Sequence, residues 1–136
     1  MGDDSVPDMR RPRPAYAAPV QVRARDDAEA FTTKDGSTIR ELLGTQHGTA
    51  NQSLAEAALA PGQSTERHYH ARSEELYMLL EGEGEMEVDG TSSRVGPGDT
   101  ILIPPGAWHQ ITAADAPLRF LCCCAPPYSH DDTYFD

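Results

Sequence analysis

Four side chains of this 136-residue chain are spaced so that they can close on one metal ion. His68 and His70 stand two positions apart, Glu75 follows five residues later, and His109 comes from a separate segment. Side chains on a β-strand alternate between its two faces, so His68 and His70 would point to the same side. Imidazole and carboxylate groups suit first-row divalent metals, and four protein ligands on an octahedral ion leave two positions open for water, oxygen or substrate. The sequence therefore predicts a metal centre with free coordination positions.

Two turns would bring the other ligands to that side. Glu75 lies an odd number of residues beyond His70 and would face away on a continued strand. Residues 71–73 are typical of a short turn, however, and a turn resets the alternation. The run PPG at 104–106 predicts a tight turn just before His109. The turns give the chain a way to present all four groups together.

These residues resemble the two sequence motifs of the cupin superfamily. The first motif has the pattern G-x5-H-x-H-x4-E-x6-G over residues 62–82, and the second has G-x5-P-x-G-x2-H over residues 98–109. A match of this length is far more specific than a short motif. One position departs from the family pattern, since Ala113 stands where an asparagine is usual. The resemblance implies a small antiparallel β-barrel with the metal inside it, and the ligands His68, His70, Glu75 and His109.

The expected fold is all-β, a single antiparallel β-barrel or double-stranded β-helix of the jelly-roll type. The chain is long enough for one hydrophobic core. Residues 1–25 are rich in Pro and Arg and are interpreted as a flexible leader, and residues 26–136 as the cupin domain. Asp89-Gly90 predicts a hairpin turn. Strands are expected at 37–43, 52–59, 75–80, 100–103, 108–112 and 118–125, followed by a surface extension at 126–136.

Charge and hydropathy exclude several classes of protein. The net charge of -11 argues against nucleic-acid binding, which needs a basic surface. No apolar run approaches the ~18 residues of a membrane helix, and the N-terminus lacks the apolar stretch of a signal peptide, so a soluble cytoplasmic protein without membrane contact is predicted. An anion-binding arm and a solvated leader are both conceivable for the basic N-terminal cluster, and we favour the solvated leader. This cluster consists of Arg10, Arg11, Arg13, Arg23 and Arg25.

Tyr77 is the candidate catalytic residue. It lies two positions beyond Glu75 and would share its face, so its phenol could donate a hydrogen bond to a substrate or act as acid and base. Aromatic residues inside barrels more often serve packing, and that alternative stays open.

The remaining polar and sulfur-bearing residues receive plainer interpretations. Cys122, Cys123 and Cys124 are consecutive, which makes a disulfide between them unfavourable, and they are interpreted as core residues of the last strand. Single histidines on strands or loops are seldom ligands. His47 and His130 are therefore not assigned to the metal site, and Gln52, Glu56 and Tyr128 stay unassigned.

Three functions compete, because the same ligands support several chemistries. The favoured hypothesis is one divalent transition metal per chain (Zn, Fe, Mn, Ni, Co or Cu) that acts as a Lewis acid on a small carbonyl or enol substrate, giving cyclase, isomerase or lyase chemistry. The second is an oxygen-dependent dioxygenase, and the third is a non-catalytic module that binds a small ligand through the metal. Open sheet edges and an apolar last strand predict a homodimer.

Overall fold

The computed structural model describes residues 19–136, where the backbone forms eleven β-strands and three short 3-10 turns. Residues 1–18, including Arg10, Arg11 and Arg13 of the basic cluster, lie outside the described residues. The strands are β1 (Phe31–Thr32), β2 (Thr38–Leu43), β3 (Ser53–Leu59), β4 (His68–His70), β5 (Glu74–Glu81), β6 (Gly84–Val88), β7 (Thr91–Val95), β8 (Thr100–Ile103), β9 (His109–Ala113), β10 (Leu118–Ala125) and β11 (Thr133–Phe135).

The strands build two antiparallel sheets. The six-stranded sheet has the order β1-β2-β3-β10-β5-β8, and the five-stranded sheet has the order β11-β4-β9-β6-β7. The predicted all-β antiparallel fold is confirmed in the form of a jelly-roll sandwich, in which hydrogen bonding does not run continuously around a closed barrel. Within residues 19–136, no helix is long and apolar enough to cross a membrane.

Strand β5 shows how the sequence builds the sandwich. Its alternate residues Glu75, Tyr77 and Leu79 are buried between the sheets, whereas Leu76 and Met78 lie on the outer face and are 47% and 42% exposed. Tyr77 and Leu79 join one hydrophobic core of buried side chains between the sheets. Full burial of one large apolar side chain contributes about 1.5–3 kcal/mol. The largest fully buried apolar residues are Phe120, Leu79, Ile103, Ile111 and Leu118.

Most predicted strands appear within one or two residues of their expected bounds. The hairpin between β6 and β7 turns at Asp89 and Gly90, which have φ values of 48° and 87°. A two-residue turn with both φ values positive is the type I′ geometry that an Asp-Gly pair favours. The turn therefore forms where local sequence preference places it.

The prediction of a surface extension at 126–136 is wrong. Residues 133–135 form β11, which pairs antiparallel with β4 and sets Thr133 opposite His70 and Phe135 opposite His68. Asp132 is buried, and its carboxylate accepts hydrogen bonds from the backbone amides of Arg72 and Ser73. The C-terminal segment thus covers the edge of the strand that carries two of the histidines.

Two arginines of the basic cluster contact the six-stranded sheet, and the side chain of Arg25 is still 46% exposed. Arg23 donates a hydrogen bond to the carbonyl of Leu42 at 3.0 Å. Arg25 forms a bidentate contact with Glu56, with both N–O distances at 2.8 Å. These two residues are therefore attached to the sheet, while the solvated leader and its boundary at residue 25 stay predictions.

Candidate metal centre

Three imidazoles of the five-stranded sheet meet at one point. His68 and His70 lie on β4 and His109 lies on β9, with His68 directly opposite His109 in the register of the two strands. One potential ligand nitrogen from each ring lies within 4.8 Å of the other two. All three side chains are at most 4% exposed. The three-histidine group that the sequence spacing predicts is therefore present, buried, and compact enough to bind one metal ion.

A turn between β8 and β9 positions the third imidazole. Gly106 has a φ of 81°, a left-handed conformation that glycine adopts without a steric penalty. Its amide donates a hydrogen bond to the carbonyl of His70 at 2.7 Å, and the amide of Ala107 closes the turn onto the carbonyl of Pro104 at 3.2 Å. The glycine and proline of the second motif thus attach the His109 segment to the strand of the first motif.

Each imidazole is held by a contact at its Nδ1 atom. His68 Nδ1 lies 2.7 Å from the carbonyl of Glu66, and His109 Nδ1 lies 3.0 Å from the carbonyl of Ala107. Because a carbonyl only accepts, both Nδ1 atoms must donate. A neutral imidazole that donates from Nδ1 carries its lone pair on Nε2, so the unused nitrogen of each ring is the one free to bind a metal.

The contact to His70 comes from a residue that sequence reasoning missed. Thr133 Oγ1 lies 3.2 Å from His70 Nδ1 and donates its own proton to the carbonyl of Ser129 at 2.9 Å. The hydroxyl oxygen is thereby left to accept from His70, which fixes this third tautomer as well. No spacing rule points to Thr133, because it meets His70 only through the pairing of β11 with β4.

Glu75 reaches the imidazoles from the six-stranded sheet. Its Oε1 atom lies 3.3 Å from His109 Nε2 and 3.5 Å from His70 Nε2. Glu75 Oε1 and His109 Nε2 are both fully buried and have no hydrogen-bond partner among the described residues. Leaving such an atom unsatisfied costs about 1–3 kcal/mol. A divalent cation between them would satisfy both, so this donor set fits a metal ion.

Burial and neighbouring charges shift the pKa values of three of these groups, and two of the shifts favour the form that binds a metal. Burial alone would raise the pKa of Glu75, but the close contacts with His109 and His70 outweigh it and hold the pKa well below its usual range. Burial and the nearby His109 lower the pKa of His68. Burial would also lower the pKa of His70, but its contacts with Glu75 reverse this and raise it. An anionic carboxylate and a neutral His68 are the ligand forms that metal binding requires.

A cavity of about 60 Å³ adjoins the histidines and contains Tyr77. The Tyr77 ring packs against Phe120 with ring centroids 4.6 Å apart and lies 6.3 Å from the His109 ring. Burial, with the nearby Glu75 charge, raises the pKa of Tyr77 well above its usual value, so the phenol keeps its proton. The cavity is lined by Phe31, Thr33, Asp35, Ser37, Ile39, Glu41, Ser53, Ala55, Ala57, His68, His70, Glu75, Tyr77, Phe120, Cys122, Cys124 and Tyr128.

Two of the three cysteines face this cavity, because residues two apart on β10 share a face. Cys124 Sγ donates to Glu75 Oε2 at 3.0 Å, and Cys122 packs against the core while lining the cavity. Burial, with the Glu75 charge adding to it, raises the pKa of both thiols well above the usual value. The interpretation as core residues is therefore incomplete, since Cys124 also orients a candidate ligand.

Tyr128, His47 and Glu56 lie in three different environments. Tyr128 lines the cavity, and its hydroxyl lies 3.1 Å from His130 Nδ1 at the surface. His47 accepts a hydrogen bond from the amide of Gly44 in a 3-10 turn and is not part of the group formed by His68, His70 and His109. Glu56 points to the outer face of β3, toward Arg25, because its neighbours in sequence occupy the cavity side.

Asp35 is the cavity residue for which the sequence carried no signal. It lies between β1 and β2, and its Oδ2 atom is 3.9 Å from His68 Nε2. It belongs to neither motif, and it reaches the histidines only because the first hairpin folds over the open side of the sandwich.

Comparison with known proteins agrees with this architecture. The cupin domain family matches residues 55–124, which include β4, β5 and β9. An uncharacterized protein of Methanocaldococcus jannaschii is 48% identical over 110 residues, covering 79% of this chain and 88% of that protein. The 5-aminosalicylate 1,2-dioxygenase of Comamonas sp is 31% identical over 117 residues, covering 80% of this chain. This chain spans only 31% of that dioxygenase.

Solved structures share the fold. The polyketide cyclase RemF from Streptomyces resistomycificus superposes with a TM-score of 0.70 at 28% identity, covering 83% of this chain and 89% of that chain. A protein from Planctomyces limnophilus superposes with a TM-score of 0.75 over 87% of this chain and 98% of that chain. Its 23% identity carries the fold alone.

Proposed function

The chain belongs to the cupin family, and from that premise we propose that it is a metal-dependent enzyme acting on a small carbonyl or enol substrate. One divalent transition metal per chain, drawn from Zn, Fe, Mn, Ni, Co and Cu, would be held by His68, His70, Glu75 and His109. When bound, the ion supplies Lewis-acid polarisation of a carbonyl oxygen, which favours cyclisation, isomerisation or elimination. The similarity to a protein named as a polyketide cyclase supports this class.

The observation that carries the proposal is the pair of unsatisfied atoms at the centre of the site. Glu75 Oε1 and His109 Nε2 face each other at 3.3 Å with no hydrogen-bond partner among the described residues. The three imidazoles make their hydrogen bonds at Nδ1, where each ring contacts an oxygen atom of the protein. A structural cluster of neutral polar groups would have satisfied itself internally. The arrangement is that of a site built for a cation.

The cavity supports an uncharged substrate. Its lining contains no Lys or Arg among the described residues, and Asp35, Glu41 and Glu75 contribute negative charge. Substrates that carry phosphate groups would therefore meet these carboxylates without a basic side chain to pair with. Apolar side chains such as Phe31, Ile39 and Phe120 form much of the remaining wall, and the Tyr77 hydroxyl is available as a hydrogen-bond donor. These features favour a neutral oxygen-rich or aromatic molecule.

A dioxygenase is the second candidate. The similarity to 5-aminosalicylate 1,2-dioxygenase favours it, and a centre with positions free for oxygen and substrate would equally allow it. The two candidates differ in their oxygen requirement. Turnover of enolisable diketones and hydroxyaryl ketones under argon, with oxygen uptake followed in air, separates them.

The metal itself is tested by elemental analysis of protein purified without chelator. The His68→Ala, His109→Ala double variant should lose almost all bound metal, because two of the three imidazoles are removed. His47→Ala, His130→Ala is the matched control, since it removes two histidines outside the cluster. Stoichiometric metal in the first double variant would refute the proposed centre.

A further inference from the structure

Asp35 has one carboxylate oxygen fully engaged and one, Oδ2, that accepts no hydrogen bond from residues 19–136. Oδ1 accepts hydrogen bonds from the Ser37 amide at 2.9 Å, the Ser37 hydroxyl at 2.6 Å and the Thr33 hydroxyl at 2.6 Å. These three donors orient the carboxylate so that its other oxygen, Oδ2, is directed toward His68. The turn between β1 and β2 is therefore explained by Oδ1 alone, and Oδ2 has no role in it.

The loop that carries Asp35 is fixed to the metal-binding strand. The amide of Glu66 donates to the carbonyl of Asp35 at 2.8 Å, and the carbonyl of Glu66 accepts from His68 Nδ1 at 2.7 Å. The side chain of Gln63 donates to the carbonyl of Gly36 at 2.9 Å. Because one residue, Glu66, holds both Asp35 and His68, the position of the carboxylate relative to the imidazole is set by the fold.

Oδ2 stands beside the donor set without belonging to it. It lies 3.9 Å from His68 Nε2, which is too long for a hydrogen bond. Asp35 comes within 4.0 Å of one imidazole nitrogen, whereas Glu75 Oε1 approaches two at 3.3 and 3.5 Å. The side chain is 18% exposed and lines the cavity. An acceptor so placed can meet a molecule that occupies the space next to the metal.

We propose that Asp35 is a substrate-binding residue whose Oδ2 accepts a hydrogen bond from a hydroxyl group adjacent to the carbonyl of the substrate. The substrate class is then a small, uncharged α-hydroxy carbonyl compound, or its enediol form. This inference rests on the proposed Lewis-acid function, because the ion would take the carbonyl while Asp35 takes the neighbouring hydroxyl. Because Oδ1 already accepts three hydrogen bonds, Oδ2 is the atom that faces the substrate. A carboxylate oxygen offers the site an acceptor and no donor at that position.

The test compares two probes that differ only at that hydroxyl. Hydroxyacetone and methoxyacetone present the same carbonyl, but only the first can donate to Asp35. Dissociation constants are measured by NMR titration of zinc-loaded protein. Because a hydrogen bond to a charged group contributes about 1.5–3 kcal/mol, hydroxyacetone should bind about tenfold or more tightly than its methyl ether. A ratio near one in the unsubstituted protein, or no binding of hydroxyacetone at its highest soluble concentration, would overturn the proposal.

Asp35→Asn converts the acceptor into a donor. The three donors on Ser37 and Thr33 require an oxygen, so the asparagine should keep Oδ1 toward them and turn its NH₂ group into the cavity. The preference for hydroxyacetone should then fall to about one or reverse, with the melting temperature little changed. Asp115→Asn, which removes a carboxylate from an exposed turn, is the control and should keep the original ratio. An unchanged ratio in Asp35→Asn would refute the role of Asp35.

Removal of zinc with a chelator separates this inference from the function on which it rests. If hydroxyacetone binds equally well without metal but still loses its preference in Asp35→Asn, the Lewis-acid function fails and the role of Asp35 stands. If binding needs the metal but the preference survives in Asp35→Asn, the function stands and the Asp35 proposal fails.

Discussion

The two sheets that face each other across the cavity contribute different chemistry. The five-stranded sheet supplies nitrogen, through the three imidazoles of β4 and β9. The six-stranded sheet supplies oxygen and sulfur, through Glu75, Tyr77, Cys122 and Cys124, and the loop between its first two strands adds a carboxylate. The nitrogen side is symmetrical, since every ring is held at Nδ1 and free at Nε2. The oxygen side is varied, and its groups differ in charge and in how they are held.

The two sheets would therefore have different tasks, one to bind a metal and the other to control its reaction. Imidazoles fixed by carbonyl and hydroxyl oxygens form a rigid donor set that many metals can occupy. In the proposed function, groups on the opposite sheet would select the substrate and handle its protons. Glu75 belongs to both halves, because it lies on the six-stranded sheet and contacts two imidazoles.

Substitution of that shared residue should have the largest effect. Glu75→Gln keeps the size of the side chain but removes the charge that would neutralise the ion. Loss of a group that hydrogen-bonds to a metal ligand lowers metal affinity about 10- to 100-fold. Loss of the Glu75 charge should lower it further. Competition with a fluorescent chelator measures this. Glu74→Gln, at the exposed neighbouring position, should bind metal normally, and equal affinities in the two variants would remove Glu75 from the ligand set.

Tyr77→Phe tests whether the oxygen side acts in the reaction. The change removes the hydroxyl and keeps the packing against Phe120, so metal content and melting temperature should stay the same. If the phenol assists proton transfer, turnover should fall about 100-fold, the low end of the usual contribution of such a group. Steady-state kinetics provide the measurement, on whichever of the diketones and hydroxyaryl ketones tested above is turned over. Unchanged turnover would leave Tyr77 a packing residue, and the ion alone would carry the chemistry.

Thr133→Val probes the nitrogen side through a contact that the sequence did not reveal. Valine matches the shape of threonine but cannot accept from His70 Nδ1, so that ring loses its anchor. Metal affinity should fall about tenfold, less than for the loss of Glu75, because all ligands remain. Thr100→Val on β8 is the control. A drop in melting temperature with unchanged metal affinity would show that Thr133 supports only the fold.

The homodimer stays a prediction, and the outer face of the six-stranded sheet is the surface where we expect its contact. Leu76, Met78 and Leu102 are 47%, 42% and 56% exposed there and lie side by side on β5 and β8. Contiguous exposed apolar surface of this kind favours association. Light scattering should give a mass of twice 14.8 kDa. A clean monomer at micromolar concentration would contradict the prediction, and Leu102→Asp should shift a dimer toward monomer if this face forms the contact.

The smallest effect concerns the carboxylate on the other face of β3. Arg25 lowers the pKa of Glu56 from its usual 4.5, since the hydrogen bonds and charge of the arginine outweigh burial. A lowered pKa in the folded state stabilises the fold above pH 4.5, and this contribution disappears as the pH falls through the lowered pKa. Glu56→Gln should therefore be less stable than the unsubstituted protein at neutral pH, and the difference should shrink in acid. Urea unfolding at several pH values checks this, and a constant difference would contradict it.

The sequence by itself determined the elements that depend on neighbours along the chain. Alternation with period two placed Glu75 and Tyr77 on one face and predicted most strands of the sheets. Asp89-Gly90 specified its hairpin because few residue pairs tolerate two positive φ values. The motif spacing brought His68, His70 and His109 together correctly, since it encodes the two turns that the strands need.

Tertiary structure decided which distant segments meet. Local sequence patterns carry no information about such contacts. Thr133 reaches His70 because a C-terminal strand pairs with β4, and a three-residue strand has too little periodicity to be predicted. Asp35 reaches His68 because Glu66 hydrogen-bonds to its loop, which is a contact across 31 residues. The direction of Glu56 depended on which face of β3 the opposite sheet covers. Strand alternation defines two faces, but only the packing of one sheet on the other decides which of them is inside.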